Sequence, residues 1–285
     1  MFGILNIFKS AGMTSHDVVN CLRKITGIKQ IGHTGTLDPF AEGVLPVCIG
    51  KAVRLIEFLP DDKEYLAVIQ FGKSTDTYDL DGKITSISDR KINLKELKNA
   101  LKNFEGEIEQ LPPIYSAIKV KGKKLYDYAR KGEHAEIKPR KVIIEKIKLK
   151  NFDEKLQTAE ILVKCSKGTY IRSIAHDLGE MLETGGYLKK LIRTKAGKFQ
   201  IENTLHLEDL KTNFSEHLLI NPLEVLDLPV KYVTDTETEK IRHGQALKNT
   251  GIKINQHVIL VRSNNMICAM GYTDCDRIFI KKVFI

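Results

Sequence analysis

Short apolar stretches, some alternating with polar positions and some unbroken, predict strands along the whole chain. The first covers residues 3–8 and ends at Lys9 before a turn at Gly12. A helical spacing follows. Val18, Val19, Leu22 and Ile25 fall on one face, and Thr14 or Ser15 can cap the element. Residues 44–49 predict a buried strand ending at Gly50, residues 51–59 a short helix, and residues 66–71 a further strand. Leu94, Leu97, Leu101 and Phe104 place a helix over 93–105, capped by Asn93 and closed by Gly106. Residues 122–132 read as a short helix and 138–141 as a return; strands over 142–149 and 158–165 then lead to a helix over 173–182.

Asn221-Pro222 through Leu228-Pro229 reads as a linker. Beyond it, Thr234 and Glu237 have the spacing of a capping box for a helix reaching Ile241. Short strands over 258–261, 266–270 and 278–284 follow, a pattern that fits a small β-barrel with one or two helices. A chain of 285 residues exceeds one typical domain. Two domains are therefore expected, residues 1–229 and 230–285.

Composition changes this picture in one respect. The net charge is +9, and it is unevenly placed. Between Lys119 and Lys150 there are 12 Lys/Arg against 4 Asp/Glu, a local charge of +8, interleaved with Tyr126 and Tyr128. That arrangement suits contact with a polyanion. The five cysteines are scattered, odd in number and never spaced as Cys-x-x-Cys, which argues against a disulfide framework and a zinc site. The histidines are equally dispersed, so no metal is expected. Apolar runs fall short of the roughly 20 residues that span a bilayer, and the opening segment is too short for a secretory signal. A soluble, cytoplasmic protein is expected, with no membrane partner.

Candidate chemistry concentrates in Gly32-His-Thr-Gly-Thr-Leu-Asp-Pro-Phe-Ala-Glu-Gly43. Glycines permit positive φ and Pro39 biases its predecessor away from helix, so Asp38 is expected in a turn, open to whatever fills the cleft. An aspartyl-phosphate loop would need its aspartate two residues before Thr34-Gly35, where Gly32 stands. A P-loop fails too: six residues separate Gly43 from Gly50, and Lys51 precedes Ala52. The acidic run 72–82 fails as a calcium loop, since Thr77 and Ser88 would occupy the first and twelfth positions.

The segment from Gly32 to Arg54 resembles the signature loop of the pseudouridine synthases, specifically the bacterial enzymes that modify uridine 55 in the TΨC arm of tRNA. Further segments resemble that family: Lys63-Glu-Tyr65, Thr75-Asp-Thr-Tyr-Asp79, residues 110–119, Lys167-Gly-Thr-Tyr-Ile-Arg172 and residues 188–194. The opening departs from it, with Ser10 where the family usually has proline. The resemblance implies an α+β catalytic domain with a central, mostly antiparallel sheet flanked by helices, followed by a PUA-like RNA-binding barrel. It implies Asp38 as the catalytic aspartate and His33, Tyr65, Asp79, Tyr170, Arg172 and Leu191 as residues of the target-base pocket. Arg172, opening a helix whose dipole favours anions, calls for a local partner such as Asp38. The basic stretch of about 120–141 takes the place of a thumb that closes on the T-arm, implying RNA-backbone contacts from Lys121, Lys123, Lys124, Arg130, Lys131, Arg140 and Lys141. A monomer acting on tRNA without metal or nucleotide cofactor is the expectation. The alternatives are a guide-dependent synthase and a tRNA-binding protein without turnover.

Overall fold

The structure is a computed structural model, and it describes residues 1–116, 118–120, 122–125, 128 and 136–285. Strand β1 (Gly3–Lys9) turns into helix α1 (Ser15–Thr26). Thr14 caps that helix, its hydroxyl accepting the Asp17 N–H while the Asp17 carboxylate accepts the Thr14 N–H. Next come β2 (Ile31–His33), β3 (Glu42–Ile49), a 3-10 helix at Gly50–Phe58, and β4 (Lys63–Phe71). A small hairpin, β5 (Lys73–Thr75) and β6 (Ile84–Ile87), precedes α2 (Leu94–Leu101), which Asn93 caps. Strand β7 (Gly106–Gln110) leads toward the basic stretch.

In that stretch β8 (Lys119–Val120) and β9 (Lys123–Lys124) pair as a two-stranded ribbon. The helix expected from residue 122 therefore begins later: Leu125 and Tyr128 are helical. Lys121, Arg130 and Lys131 lie outside the described residues. The chain continues through β10 (Arg140–Asp153), β11 (Thr158–Cys165), α3 (Ile171–Met181) and β12 (Gly186–Ala196). Short elements β13 (Phe199–Gln200), β14 (Leu205–His206), α4 (Leu207–Asn213) and α5 (Pro222–Val225) complete this part.

The main sheet runs β14-β1-β3-β12-β4-β11-β10-β7, with β2 beside β3 and β13 beside β12. Within this sheet only β1–β14 and β3–β12 are parallel among the described pairs, so it is mostly antiparallel, as expected. Alternation on β4 sends Tyr65, Ala67, Ile69 and Phe71 to one face, where Leu97 and Leu101 of α2 and Ile174 and Leu178 of α3 cover them. On β3 the alternation splits two cores: Leu45, Val47 and Ile49 meet α1 and α4, whereas Val44 and Cys48 face the 3-10 helix.

The C-terminal residues form β15 (Val230–Tyr232), α6 (Asp235–Arg242), β16 (Leu247–Lys248), β17 (His257–Val261), β18 (Ile267–Thr273) and β19 (Arg277–Val283). Their five strands make one curled sheet, a half-barrel of order β15-β17-β18-β19-β16. It is not set apart from the rest of the chain. Ile259, Val261, Ile267, Met270 and Phe284 share a core with Ala52 and Leu55 of the 3-10 helix. Residues 221–229, read from sequence as a linker, contain α5 instead. Asn221 caps it with Pro222 at its first position, and Val225 and Leu226 are buried in that same core.

Candidate active site

The turn between β2 and β3 has almost no regular hydrogen bonding, so its backbone groups need other partners. Ser15 supplies two, its hydroxyl accepting the Leu37 N–H at 2.9 Å and donating to the Leu37 carbonyl at 3.3 Å. The Pro39 carbonyl accepts the Gly12 N–H at 2.9 Å and the Lys9 ammonium at 3.2 Å. Lys9 also donates to the carbonyls of Ser10 and Met13, at 3.0 and 2.7 Å. From the other side Arg193 on β12 donates to Val44 O at 2.7 Å and to Gly35 O at 3.1 Å. Gly43 fits this arrangement: its φ is 107°, and an added Cβ would lie 2.3 Å from the Arg193 carbonyl.

Asp38 sits in the turn, its carbonyl accepting the Ala41 N–H at 3.1 Å. Its side chain remains 31% exposed while the Arg172 beside it is 6% exposed. Arg172 Nη2 donates to Asp38 Oδ1 at 3.1 Å. Nε lies 3.0 Å from Oδ2, with its N–H directed away from that oxygen. The pairing anticipated for Arg172 is thus present, and the guanidinium holds more than Asp38. Nη1 reaches Asp79 Oδ2 at 3.2 Å and Thr77 O at 3.4 Å, and Nη2 reaches Tyr115 O at 3.0 Å. Asp79 in turn accepts the Thr77 hydroxyl and the Asp81 N–H. One buried cation therefore ties three loops to the first turn of α3.

Burial pushes the Asp38 carboxyl above its ordinary range, and Arg172 and Lys9 pull it back. Asp79 is likewise raised by burial, with the Thr77 hydroxyl and Arg172 opposing. Lys9 itself falls to about 8 through burial, opposed by Asp38 and Glu42. Lys63 also falls to about 8, burial again leading and Arg193 adding to it.

Of the other expected pocket residues, Tyr65 and Leu191 stand on neighbouring strands in the middle of the main sheet. Tyr65 on β4 pairs in register with Arg193, and Leu191 pairs with Ala67 two positions on, so both project to the Asp38 side of the core. Burial raises the Tyr65 phenol, so the ring stays protonated. Tyr170 precedes α3; its N–H donates to Gln110 Oε1 at 2.7 Å and its carbonyl accepts Gln110 Nε2 at 2.9 Å. His33 ends β2, half-buried, with burial and then Arg193 lowering its pKa, so the imidazole is neutral near pH 7.

Among the basic residues, Arg140 adjoins the site, paired in register with Gln110, whose side chain holds Tyr170. Lys123 lies 5.9 Å from the Tyr128 ring centroid, Arg140 is exposed, and Lys141 pairs with Glu107 at 2.8 Å. Lys124 belongs to β9. Lys9, Thr77, Tyr115 and Arg193 escaped the sequence reading as parts of this site. For Lys9 the available signal was a charge closing an otherwise largely apolar strand; Arg193, among Lys189, Lys190 and Lys195, carried none.

Similarity to known proteins extends over the segments that carry this site. A family model described as TruB family pseudouridylate synthase, N-terminal domain, matches residues 23–171. The tRNA pseudouridylate synthase B C-terminal domain matches residues 172–230. The tRNA pseudouridine synthase B of Caldanaerobacter subterraneus subsp. tengcongensis is 44% identical over 285 residues, 99% of each chain. That of Clostridium novyi is 40% identical, covering 100% of both. Among solved structures, a chain of a Cbf5-Nop10-Gar1 complex superposes with a TM-score of 0.73 at 26% identity, covering 100% of this chain and 85% of that one.

Fold and matched segments together define a pseudouridylate synthase, an isomerase. The chain belongs to the TruB family, whose activity is that of a tRNA pseudouridine synthase.

Proposed function

We propose that this protein converts uridine 55 in the T-arm of tRNA to pseudouridine, with Asp38 as the catalytic carboxylate. The observation that carries this reading is the partly exposed Asp38 carboxylate held against the buried Arg172 guanidinium. The reaction breaks the N1–C1′ bond, turns the uracil, forms C5–C1′ and releases the C5 proton. A base inside folded RNA must first be extruded, at a cost of a few kcal/mol of stacking.

Asp38 acts ionised, either by attack on carbon or by removal of the ribose C2′ proton, and Arg172 favours that form against the pull of burial. Tyr65 and Leu191 pack against the extruded uracil. The raised Tyr65 phenol makes it a poor base, which favours the packing role. Neutral His33 fills the position that the base leaves. Lys121, Lys123, Lys124, Arg130, Lys131, Arg140 and Lys141 grip backbone phosphates, and the C-terminal half-barrel of residues 230–285, PUA-like, extends the RNA surface. The protein works as a monomer without a cofactor. The 44% identity to a tRNA pseudouridine synthase B, against 26% to a chain of a Cbf5-Nop10-Gar1 complex, supports guide-independent action.

Tritium release from C5-labelled tRNA tests the reading directly. Wild type should release tritium without ATP or added metal, and release confined to a guide-supplemented reaction would overturn it.

A further inference from the structure

Tyr78, between the two residues that Arg172 grips, has a left-handed backbone with φ at 63°. A bulky residue rarely adopts this conformation, and it persists only where its surroundings enforce it. Two contacts do so. The Tyr78 carbonyl accepts the Leu188 N–H at 2.9 Å, and Asp79 bridges to Leu188, fixing the segment to the start of β12. On the opposite side the Tyr78 ring stacks on His176, centroids 3.8 Å apart and planes 7° from parallel.

His176 lies four residues after Arg172 on α3, so the two share one helical face. Arg172 holds Thr77 O and Asp79 Oδ2, and His176 holds the ring between them. We infer that Tyr78 and His176 are positioning residues, their stack locking the 77–79 turn so that Asp79 presents Arg172 to Asp38. The inference rests on the reading of Asp38 as the catalytic carboxylate. Burial, then Asp177 and Glu180, raises the Tyr78 phenol, so the ring meets the imidazole uncharged. The imidazole Nδ1 is buried with no hydrogen-bond partner among the described residues, so the stack rather than a hydrogen bond at that nitrogen holds the ring. Crowding supports a fixed turn: a Cβ on Gly82 would lie 2.3 Å from Thr77 Oγ1 and 2.6 Å from Asp76 Oδ1.

The experiment compares four variants by tritium release from C5-labelled tRNA. Tyr78→Phe keeps the stack and should match wild type in kcat and KM. Tyr78→Gly removes the ring while relieving the backbone, and Tyr78→Ala removes the ring alone. Both should lose kcat by about 10- to 100-fold with KM nearly unchanged, the scale of a misplacement near 1 Å. His176→Ala should lose the same amount. Full activity in Tyr78→Gly would overturn the inference, because the ring would then be dispensable. A raised KM at constant kcat would also overturn it, since the ring would be touching RNA. Proton NMR of free wild-type protein supplies a reading independent of activity and of the variants' folding. The His176 ring protons, assigned by their loss in His176→Phe, should be shifted upfield by the stacked tyrosine; unshifted resonances sink the pair. Should wild type release no tritium, the proposed reaction fails while this spectroscopic test of the stack still stands.

Discussion

Two groups of basic side chains flank this chain's chemistry and are used in opposite ways. Lys9, Lys63, Arg172 and Arg193 are buried behind or beside the 32–43 turn. Lys123, Arg140 and Lys141 are exposed in the stretch that follows β7. The buried set spends most of its hydrogen bonds on backbone carbonyls: Lys9 on Pro39, Lys63 on Asp61, Arg193 on Gly35 and Val44, Arg172 on Thr77 and Tyr115 besides the Asp38 and Asp79 carboxylates. A turn without ladder partners leaves carbonyls that cost free energy when buried unmet, and charged donors meet them strongly. The exposed set has water around it, so its charge is available to phosphates and screened by salt. Identical residue types therefore give geometry in one place and affinity in the other.

Replacing the group that the buried set serves should have the largest effect. Asp38→Asn keeps the shape of the turn, but the amide is neither nucleophile nor base. It should fold, bind tRNA and release no detectable tritium. Turnover within about tenfold of wild type would remove Asp38 from the chemistry.

Arg172→Lys breaks the comparison from inside the buried set. It preserves the charge but not the planar fork that reaches Asp38, Asp79, Thr77 and Tyr115 together. A kcat loss on the order of 100-fold is expected, with tRNA affinity little changed. Equal kcat in both proteins would reduce Arg172 to a structural residue.

A pH series then sharpens what burial does to these groups. Asp38 is raised, so kcat/KM should climb with pH through a carboxyl titration above the ordinary 3.8. Lys9 falls from 10.5 to about 8, and its three carbonyl bonds need all three ammonium protons. Activity should therefore decline as pH rises through about 8. The lowered pKa also means that the unfolded chain binds more protons between about 8 and 10.5, so this group's burial cost is present below that window and relieved across it. In Lys9→Met the alkaline limb should vanish, and its melting temperature should fall behind that of wild type as pH rises through the window. An unchanged alkaline limb would assign it to another group.

Much of this arrangement was legible in the chain, for local reasons. Thr14 was one of two candidate caps and proves to be the cap, the capping box at Thr234 needs only neighbours three residues apart, and Asp38-Pro39 between glycines already specified a turn. What stayed hidden depends on distant segments. Strand β12 escaped because a bulge between Leu188 and Lys190 leaves Lys189 and Lys190 both exposed and breaks the alternation. Arg172 could be assigned Asp38 as a partner, but its bonds to Asp79, Thr77 and Tyr115 join loops 57 to 95 positions away. Residues 221–229 carried turn signals and apolar positions together. Only the shared core with the C-terminal sheet decides that the apolar ones win.

The smallest effect on chemistry, and the sharpest test of the basic stretch, comes from Lys123, Lys124 and Arg140 changed together to glutamine. Each phosphate contact releases condensed counterions, so log K should fall with log salt by about 0.7–0.9 per contact. The triple variant should bind tRNA more weakly, most visibly at low salt. Its salt slope should be shallower by up to about 2–3 units if all three reach phosphates. At saturating tRNA kcat should hold, because uniform binding is lost rather than stabilisation of the transition state. Lys141→Gln alone should do less than any of the three, since Glu107 already competes for that ammonium at 2.8 Å. An unmoved slope would make the basic stretch a solvated surface. A collapse of kcat at constant affinity would mean that exposed cations also order the Asp38 turn, and the division between geometry and grip would fall.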